Sequence, residues 1–108
     1  MDWVAADGYN FPNQKWRTFG QIFAAAYSFA TSERKSMMAA ETASPASDPR
    51  TPGWMIAAAA WIEAHPHFKA VSYFDSVSPK GFNFRLTTPA SVLAAYRAWG
   101  AKSYFKAM

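Results

Sequence analysis

Tyr9, Glu41 and Asp75 stand 32 and 34 residues apart, and each closes a short, largely apolar run. Glu41 is the first acid after five uncharged residues, Ser36 to Ala40. A carboxylate at the end of a buried strand is mounted on rigid backbone at the edge of solvent. In parallel α/β folds the working residues sit at the carboxyl ends of strands. The two intervals each match one βαβ step. Plainer readings stand beside this one. Glu41 could be a loop-entry acid satisfied by nearby amides, Asp75 a turn former before Ser76, and Tyr9 a half-buried rim aromatic.

The elements that would position these residues follow from the hydrophobic period. A strand is expected over 3–7, then loop chemistry over 10–15 with Asn, Pro, Asn and Gln. From Lys15 to Ser32 the apolar residues recur at three and four (Trp16, Phe19, Ile22, Phe23, Ala26, Tyr27), the mark of an amphipathic helix. The run "KSMMAAETAS" predicts a strand over 36–41. A long loop over 42–53 follows, and Thr51-Pro52 reads as an N-cap with proline at the first helical position. That helix runs to about Ala64 and breaks at His65-Pro66-His67. A third strand over 68–74 ends at Asp75, and residues 76–88 form a second long loop. Thr88-Pro89 repeats the cap signal, ahead of a helix carrying Val92, Leu93, Tyr96 and Trp99 on one face and stopping near Gly100. The order β-α-β-α-β-α implies parallel strands joined by right-handed crossovers. Tyr9, Glu41 and Asp75 then share one rim with the two long loops.

The 108 residues allow one domain, spanning 1–108. A chain 51% hydrophobic and 18% aromatic, with 17% charge, is built around a core rather than disordered. Either that core is rich in rings or rings line a binding surface. The net charge of +4 comes from 11 scattered Lys and Arg with no run of three, so no nucleic-acid footprint is expected. The absence of cysteine excludes disulfide scaffolds, Cys-type zinc sites and thiol catalysis. No apolar stretch reaches the length of a membrane span, and no signal peptide is visible at Met-Asp-Trp-Val. There is no GxGxxG, P-loop or GxSxG, and His65 and His67 lack metal spacing, so no cofactor or metal is expected. Trp16 and Trp54 are either core residues or platforms for a sugar.

The segments "DWVAADGYN", "WRTF", "MMAAETAS", "AVSYFDS" and "FRLTTPASVLAAYRAW", in this order, resemble the carboxyl-terminal part of family 26 glycoside hydrolases, the β-mannanase-like TIM barrels. The likeness runs from Asp2 to about Trp99. It implies that the three strands are the sixth to eighth of a parallel (β/α)8 barrel, and the chain three βα units of it, a partial barrel. It also implies that Glu41 is the catalytic nucleophile of a retaining β-glycoside hydrolase acting on a polysaccharide such as β-mannan, and that Tyr9 hydrogen-bonds it. The partner acid in retaining enzymes lies about 5–5.5 Å away and protonates the leaving oxygen. In this family it comes from strand four, which is not among these residues, since a whole barrel takes roughly 250. Tyr73-Phe74-Asp75 stands where characterised mannanases often place a tryptophan platform.

The expectation is therefore a piece of a secreted polysaccharide hydrolase, inactive by itself because general-acid help is missing. Trp16, Trp54, Tyr73 and Asp75 are the expected sugar contacts beside Tyr9. Barrel-facing side chains such as Val4, Met38 and Val71 would lose their opposite wall, and exposed strand edges would favour self-association. The alternative is a stand-alone α/β module that binds carbohydrate or protein with its aromatic rim and catalyses nothing.

Overall fold

A computed structural model describes residues 3–86, 94–97 and 99. The elements are β1 (Trp3–Tyr9), α1 (Phe19–Ser32), β2 (Ser36–Ala43), α2 (Thr51–Glu63) and β3 (Phe68–Tyr73). Residues 94–97 and 99 are helical. The three strands form one sheet in the order β1-β2-β3, and both pairings are parallel. Thr88-Pro89, Val92, Leu93 and Gly100, invoked above for the last helix, lie outside the described residues.

Local chemistry sets the boundaries. Helix α1 begins at Phe19 rather than at Lys15 because Thr18 and Gln21 form a reciprocal capping box. The Gln21 N–H donates to Thr18 Oγ1 at 3.1 Å, and the Thr18 N–H donates to Gln21 Oε1 at 2.9 Å. Trp16 consequently precedes the helix. At the other end Arg34 adopts φ 55°. The Lys35 N–H reaches back to the Ala30 carbonyl and the Arg34 N–H to that of Thr31, the two bonds of a Schellman closure. In α2 the cap position is Arg50, not Thr51. Thr51 is already helical and its hydroxyl donates to the Pro45 carbonyl at 2.5 Å.

The helices pack on one face of the sheet. Met37, Ala39 and Phe68 from the strands meet Phe19, Phe23, Met55 and Ile62 from the helices, all 1% exposed or less. Val4 and Val71, expected to face a barrel interior, instead pack against this helix-side core. Their register explains it: Val4 pairs with the buried Met37, and Val71 with the buried Ala39. Met38 pairs with Ala5 and Ala70 on the alternate set, outside that cluster.

Helix α1 lies so close to β1 that position 8 must lack a side chain. A Cβ on Gly8 would come within 2.3 Å of Ile22 Cγ2 and 3.1 Å of Phe23 Cζ. Gly8→Val is expected to lower stability by about 1–3 kcal/mol through overpacking, read as a lower urea midpoint at unchanged slope. An unshifted midpoint would mean that α1 backs away freely.

Candidate functional site

The rim is shaped by one extra residue. Ala6 pairs with Ala39, but the next residue, Asp7, pairs with Glu41, which leaves Ala40 as a bulge. The β2–β3 register shifts over the same stretch, between Ala39 and Thr42. Side chains alternate strictly along a regular strand. Without the bulge Glu41 would fall on the face of Met37 and Ala39, in the core. With it, Glu41 turns out beside Asp7 and is exposed, while Thr42 behind it is fully buried.

On that open face the Tyr9 hydroxyl donates a hydrogen bond to the Glu41 carboxylate. The two groups come from the carboxyl-end portions of adjacent parallel strands. Tyr9 is held by rings: Phe11 stacks on it at 5.1 Å and 22°, Phe84 lies at 5.5 Å, and Phe74 meets it edge-on at 5.8 Å. Burial, then the hydrogen bond to Glu41, then the charges of Glu41 and Asp7 push the Tyr9 phenol well above its ordinary value. It therefore stays a donor across the neutral range.

Behind this pair runs a buried polar tie. The Asn10 amide donates to Ser44 Oγ at 3.1 Å, and its carbonyl oxygen accepts from the Arg17 N–H at 3.0 Å. Ser44 Oγ lies 3.0 Å from Thr51 Oγ1. The Asn10 N–H also donates to the Ala43 carbonyl at 2.9 Å. Each partner meets the other's hydrogen-bonding needs away from water, so the ends of β1 and β2 and the start of α2 are fixed together.

The other expected site residues each have contacts of their own. Asp75 lies beyond the end of β3, but its Oδ1 accepts from the Leu86 N–H at 2.8 Å and so fastens the loop. Trp16 carries the Arg50 guanidinium over its ring at 3.9 Å, and Asp48 grips that arginine at 2.9 Å. Trp54 lies in the core. It is 4% exposed in the helix-side core, its indole N–H donates to the Arg17 carbonyl at 2.9 Å, and its ring meets Phe19 edge-on. Tyr73 also faces the helices, packed against Tyr96. Its hydroxyl donates to the Ser44 carbonyl and accepts the Ser44 N–H at 3.0 Å, so it splints a loop. Sequence reasoning passed over Asp7, Asn10, Phe11 and the Phe82-Asn83-Phe84 alternation. That last pattern, inside a loop, was the available signal for a ring cluster at the rim.

Burial pushes the Tyr73 phenol up to about 12 from 10.0; the Ser44 backbone opposes the shift, and Asp75 and Tyr96 add to it. A phenol raised in the folded state contributes full stability below the unfolded value near 10, and that stability is lost as pH rises through about 12. Urea midpoints between pH 9 and 12 should therefore fall more steeply for the native chain than for Tyr73→Phe. The slopes are compared because the lost hydrogen bonds shift the variant by about 1 kcal/mol at every pH. Parallel slopes would remove Tyr73 from the alkaline transition.

Among the described residues no group of three or more His, Cys, Asp or Glu is placed to hold a metal, and no helix is long and apolar enough to cross a membrane. The chain matches no protein-family model and no curated protein sequence.

Proposed function

We propose that this chain is part of a retaining β-glycoside hydrolase barrel and that Glu41 is its nucleophile. The observation that carries the reading is the Tyr9–Glu41 hydrogen bond on the open face, at the carboxyl ends of adjacent parallel strands. A nucleophilic carboxylate must stay ionised, keep one oxygen free and be held in one orientation. A neutral phenol donating to one oxygen supplies the orientation and leaves the second oxygen for an anomeric carbon. When an ester forms between Glu41 and C1, charge leaves the carboxylate, and the Tyr9 bond weakens without a proton having to move. A β-mannan is the substrate suggested by the family resemblance, and the parent protein is read as secreted. Proton donation to the leaving oxygen falls to a second acid outside these residues, so the chain alone should not turn over natural glycosides.

The test is trapping. In a barrel completed with five upstream βα units of a family 26 enzyme, 2,4-dinitrophenyl 2-deoxy-2-fluoro-β-mannoside reacts without proton donation, because dinitrophenolate leaves unaided. The C1–O bond to the phenolate breaks as the bond from Glu41 to C1 forms. A fluoroglycosyl adduct on the peptide containing Glu41 is the expected result. Labelling elsewhere, or hydrolysis unchanged after Glu41→Ala, would remove the role. Failure of both assays would favour the non-catalytic module.

A further inference from the structure

We propose that a second site lies next to the Tyr9–Glu41 pair and binds a hexuronate residue of an acidic glycan. It is the cleft of ≈ 260 Å³ between the turn at 11–14 and the turn at 78–82. Phe11 forms part of its wall and stacks on Tyr9 with its other neighbours, so the cleft and the carboxylate site share a ring.

The volume falls slightly below the range of about 300–1,000 Å³ usual for drug-sized ligands, which suits one small ring rather than a chain. Phe11 and Phe82 stand 6.1 Å apart at 54°, too close to clasp a ligand between them. With Pro79 they make one apolar surface, suited to the C–H face of a sugar ring. The polar side is supplied by Asn13 and Gln14, amides that can both donate to and accept from hydroxyls. Among the described residues the only charged side chain in the lining is Lys80, and none of them is a carboxylate. A neutral sugar would leave that ammonium unused. An aromatic acid would leave the amides unused. A hexuronate uses both, with its carboxylate on Lys80 and its hydroxyls on Asn13 and Gln14.

Both walls are already formed. The Gln14 N–H closes on the Phe11 carbonyl at 3.2 Å. Across the cleft the Ser78 N–H donates to the Phe82 carbonyl and the Gly81 N–H to the Ser78 carbonyl, both at 2.8 Å. The Phe82 N–H donates to Ser78 Oγ at 3.1 Å, and Gly81 takes φ +84°, which suits only glycine. A turn braced in this way fixes the backbone that carries Lys80 before a ligand arrives.

The inference rests on the proposed function only in taking the ligand to be a glycan. Calorimetric titration of the 108-residue chain, at a concentration low enough for sedimentation to show a monomer, with β-1,4-trimannuronate and with β-1,4-mannotriose tests it, since the two differ at C6 alone. Trimannuronate should bind roughly tenfold more tightly, the scale of a hydrogen bond to a charged group. Lys80→Ala should abolish that difference, and Gln14→Ala should weaken trimannuronate. Both residues are exposed, so both variants keep the fold. Equal affinities, no binding, an unaffected Lys80→Ala, or benzoate binding as tightly as trimannuronate would each overturn the site. A failed trapping experiment alongside retained trimannuronate binding would fell the catalytic reading alone.

Discussion

Glu41→Ala in the completed barrel is expected to lower kcat by roughly 10⁴- to 10⁶-fold, with KM changed only a few-fold. The size follows from the role. A nucleophile forms a bond that exists only beyond the ground state, so its loss appears in kcat and hardly in binding. The fold should survive, because the Glu41 side chain is exposed and its described hydrogen bond is to Tyr9. Azide provides the internal control. In the cavity left by the carboxylate it should attack C1 of an activated β-glycoside, expel the phenolate and give an α-glycosyl azide. A general base or a mere loop acid in the same position would not produce that product. Asp7, the register partner of Glu41, is the matched comparison on the same open face, and Asp7→Asn should cost far less. Comparable losses from both would assign the effect to local charge rather than to a nucleophile.

The second large effect is on the state of the chain in solution. Among the described residues the outer edges of β1 and β3 pair with nothing, and the face opposite the helices carries Trp3 at 41% exposure. Unpaired backbone groups beside exposed apolar surface are templates for another strand. The purified chain should therefore sediment well above its 12.0 kDa monomer at tens of micromolar, bind a hydrophobic dye, and melt with weak, concentration-dependent cooperativity. A monodisperse monomer with a sharp melt at all concentrations would count against the barrel reading and for the self-sufficient module.

The alternation of strands and helices was legible because the hydrophobic period changes cleanly, from the run at 36–40 to the three-and-four spacing of Phe19, Ile22, Phe23 and Ala26. Order and parallel pairing followed from that alternation. The facing of residues did not. Val4 and Val71 look equivalent to Met38 in sequence, and only the register and its interruptions separate them. Ala40 is one alanine among many, yet as a bulge it decides whether Glu41 meets water or core. The start of α1 was misplaced because Trp16 fits the apolar stripe, whereas Thr18 and Gln21 satisfy backbone groups that a stripe ignores. Residue type left Trp54 as either core or sugar platform, and the family resemblance made Tyr73 an expected sugar contact. Their burial and their backbone hydrogen bonds come from contacts distant in sequence, such as Trp54 with Arg17.

The ring enclosure of Tyr9 also bears on the order in which this protein takes shape. Two of its three rings, Phe74 and Phe84, belong to the chain after β3, more than sixty residues beyond the phenol they enclose. On a ribosome, β1, α1 and β2 emerge before β3, and Tyr9 can find Glu41 before Phe74 and Phe84 have appeared. The enclosure that raises the phenol's affinity for its proton waits for the last strand and the loop that Asp75 fastens to Leu86. Long-range closure of this kind is slow relative to local helix formation. The ring-flanked tyrosine is thus completed late, and its appearance would mark the nascent chain's passage from assembled scaffold to finished site.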